Sequence, residues 1–227
     1  MKRYLKKLKK IALPKKTKIL TQKEMRHKLV GPPNLWKMKQ DFQILFLNSR
    51  GLKREDRLLD IGCGTLRGGI PIIRKLDRGN YCGIDVRENV LAEARKELKQ
   101  ECLEEKMPDL ISFNDFASLE IDGDFDIVFA FSVLIHLEDS IAQECFHFVN
   151  KHISNSGFFY ANVNIESNEE GNWQGFPVVF RTRKFYKKIA ANANLEMIEI
   201  GRLMDLGHNS NQPLADKQIM LAFRKNK

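Results

Sequence analysis

The chain has 227 residues, is 43% hydrophobic and 30% charged, and carries a formal net charge of +9. That size and balance suit one soluble domain with short additions. No stretch approaches the ~20 apolar residues of a membrane span, and the basic start lacks the apolar core of a secretory leader. Cys63, Cys82, Cys102 and Cys145 form no C-x-x-C pair. This pattern predicts free thiols in a reducing, cytoplasmic setting and no metal site.

The positive charge is a tail, not a groove. Residues 1–20 hold nine Lys/Arg and no acid, and the remaining 29 basic residues balance the 29 acidic ones. Tyr4, Leu5, Leu8, Ile11 and Ala12 recur at helical spacing until Pro14 ends the pattern. A basic amphipathic helix of this kind can rest on an anionic membrane at ~1 kcal/mol per basic residue, as a peripheral contact. Contact with another polyanion, RNA included, and a solvated extension are the alternatives.

Residues 21–56 read as an N-terminal helical lid. Pro32-Pro33 precede Asn34, a suitable cap for a helix over Asn34–Ser49, with Leu35, Met38, Phe42, Leu45 and Phe46 as its apolar stripe. From Arg57 the pattern turns to short apolar runs alternating with helical stretches. Strands are expected at Leu58–Ile61, Tyr81–Ile84, Leu110–Phe113, Asp126–Phe131, Gly157–Val163, Leu195–Gly201 and Gln218–Phe223. Helices are expected at Gly69–Leu76, Glu88–Glu105, Asp139–Lys151 and Arg183–Ala193. The fold class is therefore α/β. Residues 57–227 should form a doubly wound, mostly parallel seven-stranded sheet. Its last strand should run antiparallel, because the polar loop Arg202–Asp216 replaces a crossover helix.

The densest chemical signal is Leu58-Leu59-Asp60-Ile61-Gly62-Cys63-Gly64-Thr65-Leu66-Arg67-Gly68-Gly69. A buried strand runs into a turn whose glycines let the backbone approach a ligand closely. The dinucleotide fingerprint G-x-G-x-x-G fails, because Arg67 stands where its third glycine belongs. Asp60 before the turn would repel a pyrophosphate and suits a ligand bearing an ammonium or sulfonium charge.

Asp60-Ile61-Gly62-Cys63-Gly64-Thr65 resembles the first motif of class I S-adenosylmethionine-dependent methyltransferases. Gly83-Ile84-Asp85 at the next strand's end, Asn114-Asp115-Phe116 after the third strand, and Asp124 to Leu137 around the fourth resemble the family's next elements, in its small-molecule branch. The resemblance spans residues 58–137. It implies S-adenosylmethionine as cofactor, held by Asp60, Gly62, Cys63, Gly64, Asp85, Val86, Asn114, Asp115, Phe116 and Phe131. Within that set, Asp85 would accept from the ribose hydroxyls, Asp115 from the exocyclic amine of adenine, and the Phe116 amide would serve a ring nitrogen. The sequence departs from the family at Leu66, where a small residue, often glycine, is usual.

A hydroxyl acceptor must lose a proton. His136, just past the fourth strand, is the candidate catalytic base, with His208 and Asp205 behind it. A small-molecule or glycan acceptor is expected against Met25–Gln40, Glu166–Arg181 and Asp205–Pro213, with Trp173 and Phe176 for stacking. Nucleic acid is disfavoured as substrate. There is no Asn/Asp-Pro-Pro-Tyr/Phe tetrad and no Pro-Cys after strand four, and the body is electrically neutral. An RNA-modifying enzyme using the basic tail and a non-catalytic cofactor-binding subunit are the competing readings.

Overall fold

A computed structural model describes residues 20–165 and 171–226. The basic tail, residues 1–20, lies outside the described residues except for Leu20, as does the 166–170 part of the expected insertion. The strands are β1 (Leu58–Ile61), β2 (Tyr81–Asp85), β3 (Asp109–Ser112), β4 (Phe125–Ala130), β5 (Ile153–Val163), β6 (Gly171–Trp173), β7 (Phe176–Val178), β8 (Leu195–Arg202) and β9 (Ile219–Lys225). The helices are α1 (Gln22–Lys28), α2 (Trp36–Ser49), α3 (Gly69–Lys75), α4 (Glu88–Gln100), α5 (Asp139–His152), α6 (Arg183–Asn192) and α7 (Pro213–Asp216).

Seven strands form one sheet in the order β3-β2-β1-β4-β5-β9-β8, and β6 and β7 form a separate hairpin. β1 pairs in parallel with both β2 and β4, and β4 with β5. β9 lies antiparallel to both β5 and β8, as the missing crossover helix predicts. The side-chain alternation along each strand divides the core in two. Leu59, Ile61, Val128, Ala130, Phe159 and Phe223 face α5 and α6 through Phe146, Val149 and Ile189. Leu58, Ile127, Phe129, Met220 and Ala222 face α2, α3 and α4 through Phe46, Leu47, Ile72 and Leu91. Because both faces are covered, β1 and β2 are buried along their whole length.

Several boundaries move for local reasons. Pro33–Leu35 is a 3-10 turn, and α2 starts at Trp36. The helix expected to reach Glu105 stops at Gln100, where Cys102 turns left-handed (φ 53°). The Leu103 amide then bonds back to the Leu98 carbonyl at 3.0 Å, and Leu103 is buried. This arrangement satisfies the helix's last carbonyls. α1, absent from the sequence reading, is started by a capping box: the Thr21 hydroxyl accepts from the Glu24 amide at 3.1 Å, and the Glu24 carboxylate from the Thr21 amide at 2.9 Å.

α1 is fastened to α4 by a buried ion pair. Arg26 is 4% exposed and donates to Glu97, to Glu93 at 3.1 Å and to Gln100 at 2.9 Å. His27 stacks flat on Trp36, 3.4 Å between ring centroids, so the segment between the two helices is held at both ends. Removing one partner of such a pair strands a buried charge, at a cost of ~3–5 kcal/mol. Arg26→Ala should lose about that much in chemical denaturation. A loss within experimental error would show that α1 is not anchored there.

Candidate functional site

The strand order reverses between β1 and β4, so their carboxyl ends open a crevice, the usual ligand site of an open α/β sheet. A cavity of about 570 Å³ lies there, within the ordinary range for small-molecule sites. Its floor is the turn after β1. Gly62 adopts φ +70°, and a Cβ on it would sit 2.5 Å from Val133 Cγ2, while one on Gly64 (φ +59°) would sit 2.6 Å from Val30 Cγ1. These two glycines let the loops after β1 and β4, and the strap before α2, close on one another. Gly68 and Gly69 do different work. A Cβ there would strike Gln43 at 2.3 Å or the Tyr81 hydroxyl at 2.6 Å, so they admit α2 and β2 against α3. Leu66 has φ +63°, a conformation costing ~1–2 kcal/mol outside glycine. Complete burial of its side chain offsets that with ~1.5–3 kcal/mol.

The site residues expected from sequence divide into wall and backing. Gly62, Asp85, Val86, Asn114, Asp115, Phe116, Phe131 and His136 line the cavity. Asp60, Cys63 and Gly64 lie behind it. Asp60 is buried, with its Oδ2 accepting the Tyr81 hydroxyl at 2.6 Å. Burial, with the Asp85 charge adding and the Tyr81 hydroxyl opposing, pushes its carboxyl up to about 7. The Cys63 thiol packs against Gly83, and burial pushes its pKa well up, which keeps it protonated. The Gly64 amide donates to Asp85 Oδ2 at 3.1 Å, so the glycine turn orients the acid at the end of β2. Asp115 accepts from the Ser118 amide at 2.8 Å, which holds its carboxyl below the usual range.

Several wall residues carry no motif. Arg87 donates from its amide and its Nε to Asp85 Oδ1 at 3.0 and 3.2 Å. Its guanidinium reaches the Leu29 carbonyl and lies 5.9 and 5.6 Å from the rings of Trp173 and Phe176. Lys39 and Arg67 project from α2 and the β1 turn. Burial lowers Lys39 to about 8, with Arg67 adding to the shift, and lowers Arg67 to about 10. Arg67 donates to the Val30 carbonyl at 2.8 Å, while its Nε is buried without a partner. Behind the wall the Ser132 amide donates to Asn162, Asn162 to Gln218, Gln218 to Asn164 and Asn164 to the Val179 carbonyl, at 2.6 to 3.0 Å. This satisfied buried chain fixes the turn after β4 to β5, β9 and the strand leaving the hairpin.

Two histidines complete the wall. His136 places Nδ1 2.8 Å from the Pro177 carbonyl, so that nitrogen carries the proton, and the ring stacks on Trp173. Burial, with Arg87 adding, keeps its pKa below 6.5. His208 places Nδ1 2.9 Å from Asp216. Asp205, the other second-rank candidate base, is exposed and pairs with Arg202. Long-range packing brought Lys39, Arg87 and Asp216 to the site, and no local spacing marks them.

Residues 59–159 match the family model described as a methyltransferase domain. That segment is similar to a methyltransferase domain, and the fold around it is shared with solved S-adenosylmethionine-dependent methyltransferases. The chain is 33% identical over 97 residues to an uncharacterized methyltransferase of Schizosaccharomyces pombe, covering 40% of this chain and 34% of that protein. The match thus spans about a third of that relative's length. Among solved structures it resembles an S-adenosylmethionine-dependent methyltransferase of Clostridium acetobutylicum (TM-score 0.64, 14% identity, 85% and 92% of the two chains). It also resembles magnesium protoporphyrin IX methyltransferase of Synechocystis with bound S-adenosylhomocysteine (TM-score 0.65, 15% identity, 86% and 85%). At these identities the likeness is one of fold. The cavity also has residues suited to S-adenosylmethionine. It offers a carboxylate at the end of β2, a glycine floor, and in Arg67 a buried, partnerless donor facing the same space.

Asp60 supplies a test of the buried cluster. It holds its proton more tightly in the fold, at about 7, than at its ordinary 3.8. The stability it contributes is therefore whole below about pH 4 and is lost as pH rises through 7. In the ligand-free protein, the thermal midpoint of Asp60→Asn should gain on wild type between pH 5 and pH 8.5. A pH-independent difference would place the titration elsewhere.

Proposed function

We propose that the protein transfers a methyl group from S-adenosylmethionine to a hydroxyl oxygen of a small-molecule or glycan-type acceptor. The observation that carries the reading is a single cavity at the β1–β4 crevice that joins a cofactor-suited half to a histidine-lined half. Asp85, Val86, Asn114, Asp115 and the Phe116 amide would hold adenosine, and Gly62 and Arg67 the methionine portion. When bound, the cofactor supplies an activated methyl on a sulfonium. Asp85 has about four acceptor positions, and Gly64 and Arg87 already take three of them. Two ribose hydroxyls therefore require the Arg87 side chain to yield.

The chain's own contribution is placement and proton removal. Positioning alone can supply ~7–11 kcal/mol of the barrier, and a base a further ~10²–10⁴-fold. His136 remains a candidate base, since a proton on Nδ1 leaves Nε2 as an acceptor. An open cavity with two histidines favours an enzyme over a cofactor-binding subunit without catalysis. Among the described residues no helix is long and apolar enough to cross a membrane. The reading of residues 1–20 as a peripheral contact with an anionic membrane rests on their nine cations, and salt-sensitive flotation with anionic vesicles tests it.

Calorimetry should show S-adenosylhomocysteine binding in preference to NAD. Asp85→Ala should weaken it by ~1.5–3 kcal/mol per lost charge-assisted hydrogen bond. Labelled-cofactor screening across phenols, sugars, lipids and RNA then identifies the acceptor. Tight NAD binding without the cofactor, or labelling of RNA alone, would overturn the reading.

A further inference from the structure

We propose that His208, held by Asp216 and faced by Lys39, forms the acceptor's base and oxyanion corner, and that this corner selects an acidic hydroxyl on an apolar ring, as in a phenol. The proposal rests on the methyltransferase reading and adds to it the base and the acceptor class.

His208 is 1% exposed and lines the cavity. Asp216 Oδ1, 2.9 Å from its Nδ1, also accepts from the Ser210 amide at 2.9 Å and the Ser210 hydroxyl at 2.7 Å. A carboxylate fixed by that many donors holds the proton on Nδ1 and leaves Nε2 as the acceptor nitrogen. Nε2 is buried with no hydrogen-bond partner. An acceptor so placed costs ~1–3 kcal/mol, a cost that a ligand's hydroxyl proton would remove. The ring is fixed by the edge of Phe42 at 5.0 Å and by Phe131 at 5.9 Å.

The Lys39 ammonium, on the same wall, makes no hydrogen bond or ion pair among the described residues. The groups that set the His208 charge are Asp216 from α7, which raises its pKa, and Lys39 from α2 and Arg67 from the β1 turn, which lower it along with burial. A base kept neutral beside a buried cation suits a hydroxyl that becomes an oxyanion. The apolar surface of Phe131, Val133 and Ile135 nearby suits a ring better than a sugar. His136 lacks an orienting carboxylate, its Nδ1 being held by the Pro177 carbonyl instead.

In the proposed step the acceptor's O–H bond breaks and its proton passes to His208 Nε2, leaving an imidazolium paired with Asp216. The acceptor oxygen forms the new bond to the methyl carbon as the carbon–sulfur bond breaks, its electron pair staying on sulfur.

The test uses 4-nitrophenol, titrated into full-length protein saturated with S-adenosylhomocysteine at about pH 6, where the free dye is mostly neutral. Wild type should bind it as the absorbing phenolate. His208→Asn should reduce the phenolate signal at least tenfold while keeping its affinity for S-adenosylhomocysteine, which shows that it is folded. Lys39→Met should reduce the signal too. Asp216→Asn should push its onset to higher pH, and Asp216→Glu should partly restore it. Absence of saturable dye binding, a neutral-phenol spectrum in wild type, or a signal lost in His136→Asn but kept in His208→Asn would overturn the proposal. Failure of S-adenosylhomocysteine to bind would instead overturn the methyltransferase reading. The same titration on the unliganded protein would then still decide the corner.

Discussion

A parallel sheet covered on both faces leaves its ligand little choice of position. β1, β2 and β4 each pair with a strand on either side, and both faces are covered by helices. The only polar backbone free to meet a ligand lies where the strands run out. Because β1 has β2 on one side and β4 on the other, the connections leave in opposite directions and the loops part. Everything chemical in this molecule stands at that parting. The glycines after β1, the carboxylate ending β2, the turn after β4 and the loop before β9 all converge on one cavity.

What was legible in the sequence was local. Strand-to-turn grammar carries Gly62, Gly64 and Asp85, since a few adjacent residues decide both backbone path and chemistry. The same grammar carries the seven-stranded sheet and its reversed strand, since only the four-residue α7, too short for a crossover, stands between β8 and β9. The helix ends were less legible. Cys102 and Leu66 enter left-handed conformations because buried neighbours require it, and no propensity points there.

What was not legible was whatever two distant segments build together. Arg26 meets Glu97, and Arg87 meets the hairpin rings. In each case the residue type invites a charged or aromatic partner, but packing chooses which. Asp60 shows the reverse. Its motif marks it as a ligand-side acid, while Tyr81, admitted by Gly69, draws it behind the wall.

The placement of β9 has a consequence for how the protein comes into being. It lies between β5 and β8, yet it is synthesised after both. Until it emerges, β5 and β8 have no partner between them, and each presents an unpaired edge able to bind stray strands. The Ser132–Asn162–Gln218–Asn164 chain is likewise open until Gln218 arrives. Completion of the sheet and completion of the cavity wall are therefore one late, long-range event in folding, the slow kind of closure that contact order describes. A nascent chain halted just before residue 218 would hold the whole glycine motif and still lack a finished pocket.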